Sequence, residues 1–83
     1  GGEEFIALLP NTEKSEAFIV AQRVRLAVEK SIVQHGTQKI RVTMSIGGGE
    51  ISPGDKDYES VIKRADVALY EAKNSGRNKV VIA

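Results

Sequence analysis

Two adjacent carboxylates near the start of the chain are the strongest candidates for a chemical role. Glu3 and Glu4 follow a pair of glycines and precede an apolar run, 5–9, that ends at Pro10. Glycines permit backbone conformations with positive φ and leave no Cβ to keep a ligand from the backbone. Successive side chains of a strand point to opposite faces, so Glu3 and Glu4 are expected to have different roles. The pattern predicts a place where a divalent cation and a phosphate bind, and an ordinary hairpin with solvated glutamates is the alternative.

The composition limits the classes of function that the chain can have. Its 83 residues are enough for one small domain or part of one. The absence of cysteine excludes disulfides and thiolate metal sites and fits a reducing cytoplasm. Twelve basic and eleven acidic residues leave a net charge of +1, which gives no overall field for nucleic acid or an anionic membrane. No apolar run approaches the roughly 20 residues that span a bilayer. We therefore expect a cytoplasmic segment without nucleic-acid or membrane contacts.

The first helix is predicted directly after the opening strand. Asn11 and Thr12 are candidate N-caps, and apolar residues recur at spacings of three and four over 18–32. This periodicity predicts an amphipathic helix of about five turns. The segment 35–38 is predicted to be a turn, with Gly36 at the end of the helix, where a left-handed residue is common.

The middle of the chain predicts a strand that buries one face. Apolar and polar residues alternate over 39–46, as in a half-buried strand. The three glycines at 47–49 then predict a bulge or a bend. They do not form a phosphate-binding loop of the nucleotide-binding type, because no Lys-Ser or Lys-Thr follows them.

The last third of the chain predicts a second helix and a short final strand. Asp55 or Asp57 can cap a helix whose apolar stripe covers 61–72 and which ends at Gly76. The residues 79–82 predict a strand. The order β-α-β-α-β favours an α/β (α+β) fold in which two helices cover a central sheet.

Four stretches, in the same order as in a known family, carry a resemblance. The opening Gly1-Gly2-Glu3-Glu4-Phe5 resembles the signature of the GGDEF family of diguanylate cyclases in its GGEEF form. The later stretches are Ser45-Ile46-Gly47, the run RADVALYEAK from Arg64 to Lys73, and Gly76-Arg77-Asn78. The resemblance covers essentially the whole chain, and it outweighs the ordinary hairpin as an interpretation of the opening residues.

The resemblance implies the palm-like fold of nucleotide cyclases and many polymerases, with an antiparallel component around the signature hairpin. It also implies that residues 1–83 are the C-terminal half of a domain. The upstream half would carry a further metal-binding aspartate, the residues that read guanine and an inhibitory arginine motif. The chain on its own is therefore expected to be inactive.

The activity that the resemblance implies for the parent domain is condensation of two GTP into cyclic di-GMP and two pyrophosphates. The reaction uses two divalent metal ions, Mg²⁺ or Mn²⁺, in a homodimer of two such domains. Glu3 matches the position that supplies a metal ligand and is a catalytic candidate. Glu4 is the second catalytic candidate, which would orient the 3′-hydroxyl or accept its proton. Gly1 and Gly2 would let the nucleotide approach the backbone.

Basic residues complete the implied site. Lys73 and Arg77 match the family's triphosphate clamp, although cations at the end of a helix also complement its dipole. Asn78 is expected to shape the turn rather than to contact substrate. Arg23 is the candidate for an inhibitory cyclic di-GMP site, with a solvated arginine as the alternative, and Arg25 is expected to be solvated.

Two other interpretations of the whole chain remain open from the sequence. One is a degenerate module that binds GTP or cyclic di-GMP and signals without turnover. The intact opening motif together with Lys73 and Arg77 favours the enzyme over this module. The other is a half-domain that exchanges a strand with a second copy, because the apolar strand 5–9 would otherwise leave an exposed edge.

Overall fold

Seven elements make up the fold in this computed structural model, which describes residues 2–51, 54–55 and 57–83. In chain order they are β1 (Gly2–Pro10), α1 (Lys14–Lys30), β2 (Ile32–His35), β3 (Gln38–Arg41), β4 (Thr43–Ile51), α2 (Tyr58–Asn74) and β5 (Val80–Ile82). The predicted α/β class and the two covering helices are confirmed. The extra pair β2–β3 was not predicted.

The central sheet has the strand order β1-β4-β5, and both pairs are parallel. Glu4 lies beside Ser45, and Ile46 lies beside Val80, so the three strands begin at the same edge of the sheet. The antiparallel component expected around the opening motif is not found among the described residues, and Gly1 itself lies outside them. The antiparallel pairing that the structure describes is the hairpin β2–β3.

The helix α1 is shorter than predicted. It ends at Lys30, and Ser31 is extended with φ −73° and ψ 136°. Ile32 and the residues after it form β2 instead, and Gly36, with φ 63°, occupies the first position of the two-residue turn to β3. Type II′ hairpin turns favour glycine at that position. The predicted turn at 35–38 is therefore confirmed, but its placement at a helix end was wrong.

The helix ends also test the predicted caps. Glu13 is the N-cap of α1 and makes no side-chain capping bond, so the expectation for Asn11 or Thr12 was wrong. Thr12 Oγ1 instead donates to the carbonyl of Pro10 at 3.0 Å. Asp57 caps α2 as predicted, because its Oδ1 accepts the Ser60 backbone N–H at 3.0 Å.

The predicted strand 39–46 divides at Val42. Its first part belongs to the exposed hairpin, where Ile40 is 42% exposed, so the prediction that Ile40 faces the core was wrong. The rest continues through 47–49 to Ile51 in unbroken register with β1. The predicted bulge or bend at these glycines was therefore wrong. The glycines instead allow neighbouring elements to approach the strand closely. A Cβ on Gly47 would lie 2.3 Å from the backbone N of Leu69, so the missing side chain lets α2 approach the strand.

The two helices pack on opposite faces of the sheet. The alternation of β4 directs Met44 and Ile46 to one face, where they form the main core cluster with Ala17 and Ala21 of α1. Gly47 and Gly49 lie on the other face, against α2. Among the described residues, neither helix is long and apolar enough to cross a membrane.

Arg64 anchors the connection between β4 and α2. Its NH1 and NH2 donate to Asp55 Oδ1 and Oδ2, each at 2.8 Å, and its NH2 also donates to the Glu50 carbonyl at 2.9 Å. The hydrogen bond with Asp55 raises the pKa of Arg64 above its already strongly basic usual value. This part of the family-like RADVALYEAK stretch therefore has a structural explanation.

Candidate phosphate-binding site

Three of the candidate site residues meet at the edge where the parallel strands begin. The Nζ of Lys73 lies 3.0 Å from Glu4 Oε1, and NH1 of Arg77 lies 3.9 Å from Glu4 Oε2. Glu4 comes from β1, Lys73 from the last turn of α2, and Arg77 from the segment that follows α2. Two cations from one end of a helix therefore converge on a single carboxylate of the sheet. We call these three residues the edge cluster.

The end of α2 explains how two residues four positions apart reach the same place. The Ser75 N–H donates to the Glu71 carbonyl at 3.0 Å, and the Arg77 N–H donates to the Ala72 carbonyl at 3.0 Å. Gly76, with φ 120°, provides the reversal between them. The bond from Arg77 to Ala72 is the outer bond of the Schellman motif that closes many helices, and the helix ends just before Gly76 as predicted. The closed turn brings Arg77 back beside the last turn, where Lys73 lies.

The edge cluster is exposed enough to exchange its partners. The side chains of Lys73, Glu4 and Arg77 are 31%, 43% and 58% exposed. Exposed ion pairs contribute only about 0–1 kcal/mol to stability, so separating them costs little. Lysine offers a compact point charge and arginine a planar fork of donors, a combination that suits a polyphosphate. Both cations also lie at the C-terminal end of α2, where positive charge complements the helix dipole. The sequence offered this as the alternative to a phosphate-binding role.

Glu3 does not join this cluster. It lies beside Met44 in the sheet, whereas Glu4 lies beside Ser45, so the two carboxylates point to opposite faces. Among the described residues there is no group of three or more His, Cys, Asp or Glu side chains that could hold a metal ion. The described residues therefore do not fit a complete metal site, and Glu3 as a metal ligand stays a prediction.

The remaining candidate residues lie apart from the cluster or outside the described part. Gly2 begins β1 beside Thr43, and Gly1 is outside the described residues. Arg23 is exposed on α1, whereas the edge cluster comes from β1, α2 and the segment after α2. Its assignment to an inhibitory site is still a prediction.

Sequence reasoning missed a polar network next to the edge cluster. Arg25 is 11% exposed rather than solvated, and its NH1 donates to Asn78 Oδ1 at 2.8 Å. Asn78 Nδ2 donates to Glu29, and the Asn78 backbone N–H donates to Ser45 Oγ at 3.1 Å. The spacing of Arg25 and Glu29 by four residues was a signal of a helical ion pair. Nothing in the sequence indicated that the pair would bind Asn78.

Comparison with known proteins gives consistent relatives. The model of the family described as diguanylate cyclase, GGDEF domain, matches residues 1–79. Diguanylate cyclase A of Treponema denticola is 45% identical over 83 residues, which are all of this chain and 22% of that protein. The response regulator PleD of Caulobacter vibrioides is 42% identical, over 98% of this chain and 18% of that protein. The chain thus spans about a fifth of these relatives.

The solved structures agree with the sequence relatives. The GGDEF domain of DgcB from Caulobacter crescentus, crystallised in complex with c-di-GMP, superposes with a TM-score of 0.77 at 30% identity. The match covers 86% of this chain and 42% of that one. Because the family model covers nearly all of the sequence and the fold agrees, the chain belongs to the diguanylate cyclase GGDEF domain family.

Proposed function

We propose that this chain supplies the phosphate-holding part of a diguanylate cyclase active site and forms the C-terminal half, residues 1–83, of the catalytic domain. The observation that carries the proposal is the convergence of Lys73 and Arg77 on one exposed edge, with Lys73 Nζ 3.0 Å from Glu4. Family membership gives the reaction class. The match to only 42% of the DgcB chain supports the assignment as part of a larger domain.

The proposed reaction joins two GTP molecules. Each 3′-hydroxyl attacks the α-phosphorus of the other nucleotide, a new P–O ester bond forms, and the bond from the α-phosphorus to pyrophosphate breaks. Each cycle yields one cyclic di-GMP and two pyrophosphates, and each hydroxyl loses its proton. Two domains, each holding one GTP, would face one another as a homodimer. The site acts mainly by positioning and by neutralising negative charge.

Lys73 and Arg77 would bind the β- and γ-phosphates and neutralise the departing pyrophosphate. They would exchange Glu4 for phosphate oxygens when the nucleotide binds, an exchange that the exposure of the pairs makes inexpensive. Glu4 would then be released to orient the 3′-hydroxyl or to accept its proton. Gly1 and Gly2, which have no Cβ, would let the nucleotide lie close to the backbone at the opening of the chain.

The proposal retains a divalent ion, Mg²⁺ or Mn²⁺, as the cofactor of the parent domain. When bound, such an ion supplies positive charge at the reacting phosphates. Glu3 is its proposed ligand from this chain, and further ligands would come from outside the described residues. Arg23 is proposed to contact cyclic di-GMP at a separate inhibitory site. The segment is proposed to work in the cytoplasm.

The test is GTP turnover in a polypeptide that contains this chain together with the upstream part of the parent domain. Lys73→Ala and Arg77→Ala should each lower cyclic di-GMP formation by about 10²-fold, the usual cost of removing one electrostatic stabiliser of a transition state. Lys63→Ala, on the exposed surface of the same helix, is the matched control and should keep full activity.

The second candidate function is a module that binds GTP or cyclic di-GMP without turnover. It would be supported if the unmodified domain binds GTP with Mg²⁺ present and forms no cyclic di-GMP. Turnover that survives in both the Lys73 and the Arg77 variants would instead contradict the assigned role of the edge cluster.

A further inference from the structure

The turn after α2 is tied to α1 by contacts that the proposed reaction does not explain. We propose that Arg25 is a positioning residue, which acts through Asn78 to hold Arg77 in the conformation that faces the phosphates. The inference rests on the proposed function of Arg77 as a ligand of the nucleotide's terminal phosphates. It assigns to α1 a part in substrate binding although α1 contributes no residue to the edge cluster.

The backbone at Arg77 needs support. Arg77 has φ 60° and Asn78 has φ 49°, so two consecutive residues with side chains are in the left-handed region. Asparagine tolerates this region better than most residues, but arginine has no such preference. Such conformations persist where the surrounding structure fixes them, and they occur often at functional sites. Contacts that hold the second residue therefore also fix the direction in which the first one points.

Asn78 has those contacts on two sides. Its backbone N–H donates to Ser45 Oγ at 3.1 Å, which fixes the turn to β4. Its side chain accepts from Arg25 NH1 at 2.8 Å and donates to Glu29, both on α1. Ser45 is 3% exposed and lies beside Glu4 in the sheet register. The turn is thus held directly next to the carboxylate that Arg77 approaches.

Arg25 is suited to holding the turn and not to binding the ligand itself. Its side chain is 11% exposed, its Nε donates to Gln22 Oε1 at 2.8 Å, and its NH1 lies 3.5 Å from Glu29 Oε2. The planar guanidinium contacts three neighbours at once, which the single ammonium of lysine cannot reproduce. Its charge is paired with Glu29, so the effect on a bound phosphate comes through geometry. This separates Arg25 from Lys73 and Arg77.

The experiment follows the amide resonances of a polypeptide that contains this chain together with the upstream part of the parent domain, during titration with inorganic pyrophosphate. Arg25→Gln should weaken pyrophosphate binding about tenfold, the size expected when a hydrogen bond to a charged group is lost. It should also weaken the strong intraresidue contact between amide and α protons that positive φ produces at Arg77. A role confined to stability would lower the melting temperature and leave both readouts unchanged below it. Arg41→Gln, the same substitution at an exposed arginine of β3, should change neither readout.

A second variant covers the case in which Arg25→Gln does not fold. Asn78→Gly accepts a positive φ and keeps the N–H that bonds Ser45, but it removes the side chain that Arg25 contacts. It should weaken pyrophosphate binding to a similar degree. Where both variants fold, the double variant should bind pyrophosphate about as weakly as the single variant with the lower affinity. The reason is that both substitutions remove the same contact between Arg25 and Asn78.

The outcomes separate the inference from the proposed function. If pyrophosphate fails to shift the resonances of Lys73 and Arg77 in the unmodified parent domain, the proposed phosphate role is wrong, and the inference falls with it. If the unmodified domain binds pyrophosphate and Asn78→Gly or a folded Arg25→Gln binds it equally well, only the inference is overturned. Additive losses in the double variant would also overturn it, since the two residues would then act separately.

Discussion

The two faces of the central sheet are packed in different ways. On the α2 face, four small residues of the helix are at most 2% exposed: Val61, Ala65, Ala68 and Ala72. On the α1 face, only Ala17 and Ala21 of the helix are buried. A groove of about 300 Å³ remains between α1 and β1, with Phe5, Val20 and Val24 at 46–52% exposure along it.

This difference assigns different tasks to the two helices. Where alanines of a helix meet glycines of a strand, the distance between them is set by backbone atoms, and little movement is possible. Lys73 lies in the last turn of that helix and Arg77 in the turn after it, so two members of the edge cluster are attached to a closely packed element. Sites on rigid elements hold their geometry more precisely than sites on mobile ones. In the part of the chain that the structure describes, the looser α1 is joined to the turn that carries Arg77 by the bonds of Arg25 and Glu29 to Asn78.

The largest expected effect tests the close approach of α2. In Gly47→Ala, the new Cβ would lie 2.3 Å from Leu69 N and 2.5 Å from Ala65 O, both of which are backbone atoms. The helix must then move, and we expect a loss of about 3 kcal/mol or more in the free energy of unfolding. Urea denaturation followed by circular dichroism measures it.

The control for that substitution is Gly54→Ala, whose Cβ would meet nothing within 4 Å. Its free energy of unfolding should change by less than about 0.5 kcal/mol. Equal stability of the two variants would show that α2 can shift freely, and the contrast between the faces would then be lost.

A smaller change in the free energy of unfolding is expected when the same substitution, alanine to valine, is made on each of the two helices. Ala68→Val adds two methyl groups to a position that is 2% exposed, and we expect a loss of about 1–3 kcal/mol in the free energy of unfolding from overpacking. Ala21→Val adds them beside the open groove, where the loss from overpacking should stay within about 0.5 kcal/mol. The lower helix propensity of valine is common to both variants and cancels. Thermal unfolding of the pair measures the difference, and equal losses would contradict it.

Much of the fold was predictable because it depends on local signals. The apolar stripe of α2, its Asp57 cap and its end at Gly76 are all encoded within a few residues of where they act. The same applies to the opposite directions of Glu3 and Glu4, which follow from strand alternation alone. These features needed no knowledge of partners distant in the sequence.

The features that sequence reasoning missed depend on tertiary contacts. The glycines at 47–49 looked like a bend because their real partners are remote in sequence: α2 for Gly47 and Gly49, and Ile82 for Gly48. The hairpin β2–β3 resembled the end of a helix because Ile32 also continued the helical stripe. Arg25 looked solvated because Asn78, its partner, lies 53 residues further along the chain. Periodicity describes which face of an element is apolar, but it does not identify what covers that face.

The smallest expected effect compares the two carboxylates of β1, one on each face of the sheet. In the absence of divalent ions, Glu4→Gln should tighten inorganic pyrophosphate binding to the parent domain by about 2- to 5-fold, because Lys73 and Arg77 no longer have to leave a carboxylate. Glu3→Gln removes the same charge from the opposite face and should have a clearly weaker effect. Because the net charge changes equally in both variants, a difference between them reports local contact with the edge cluster. A larger effect from Glu3→Gln would place Glu3, rather than Glu4, beside the bound phosphates and would reverse the roles inferred from the sheet register.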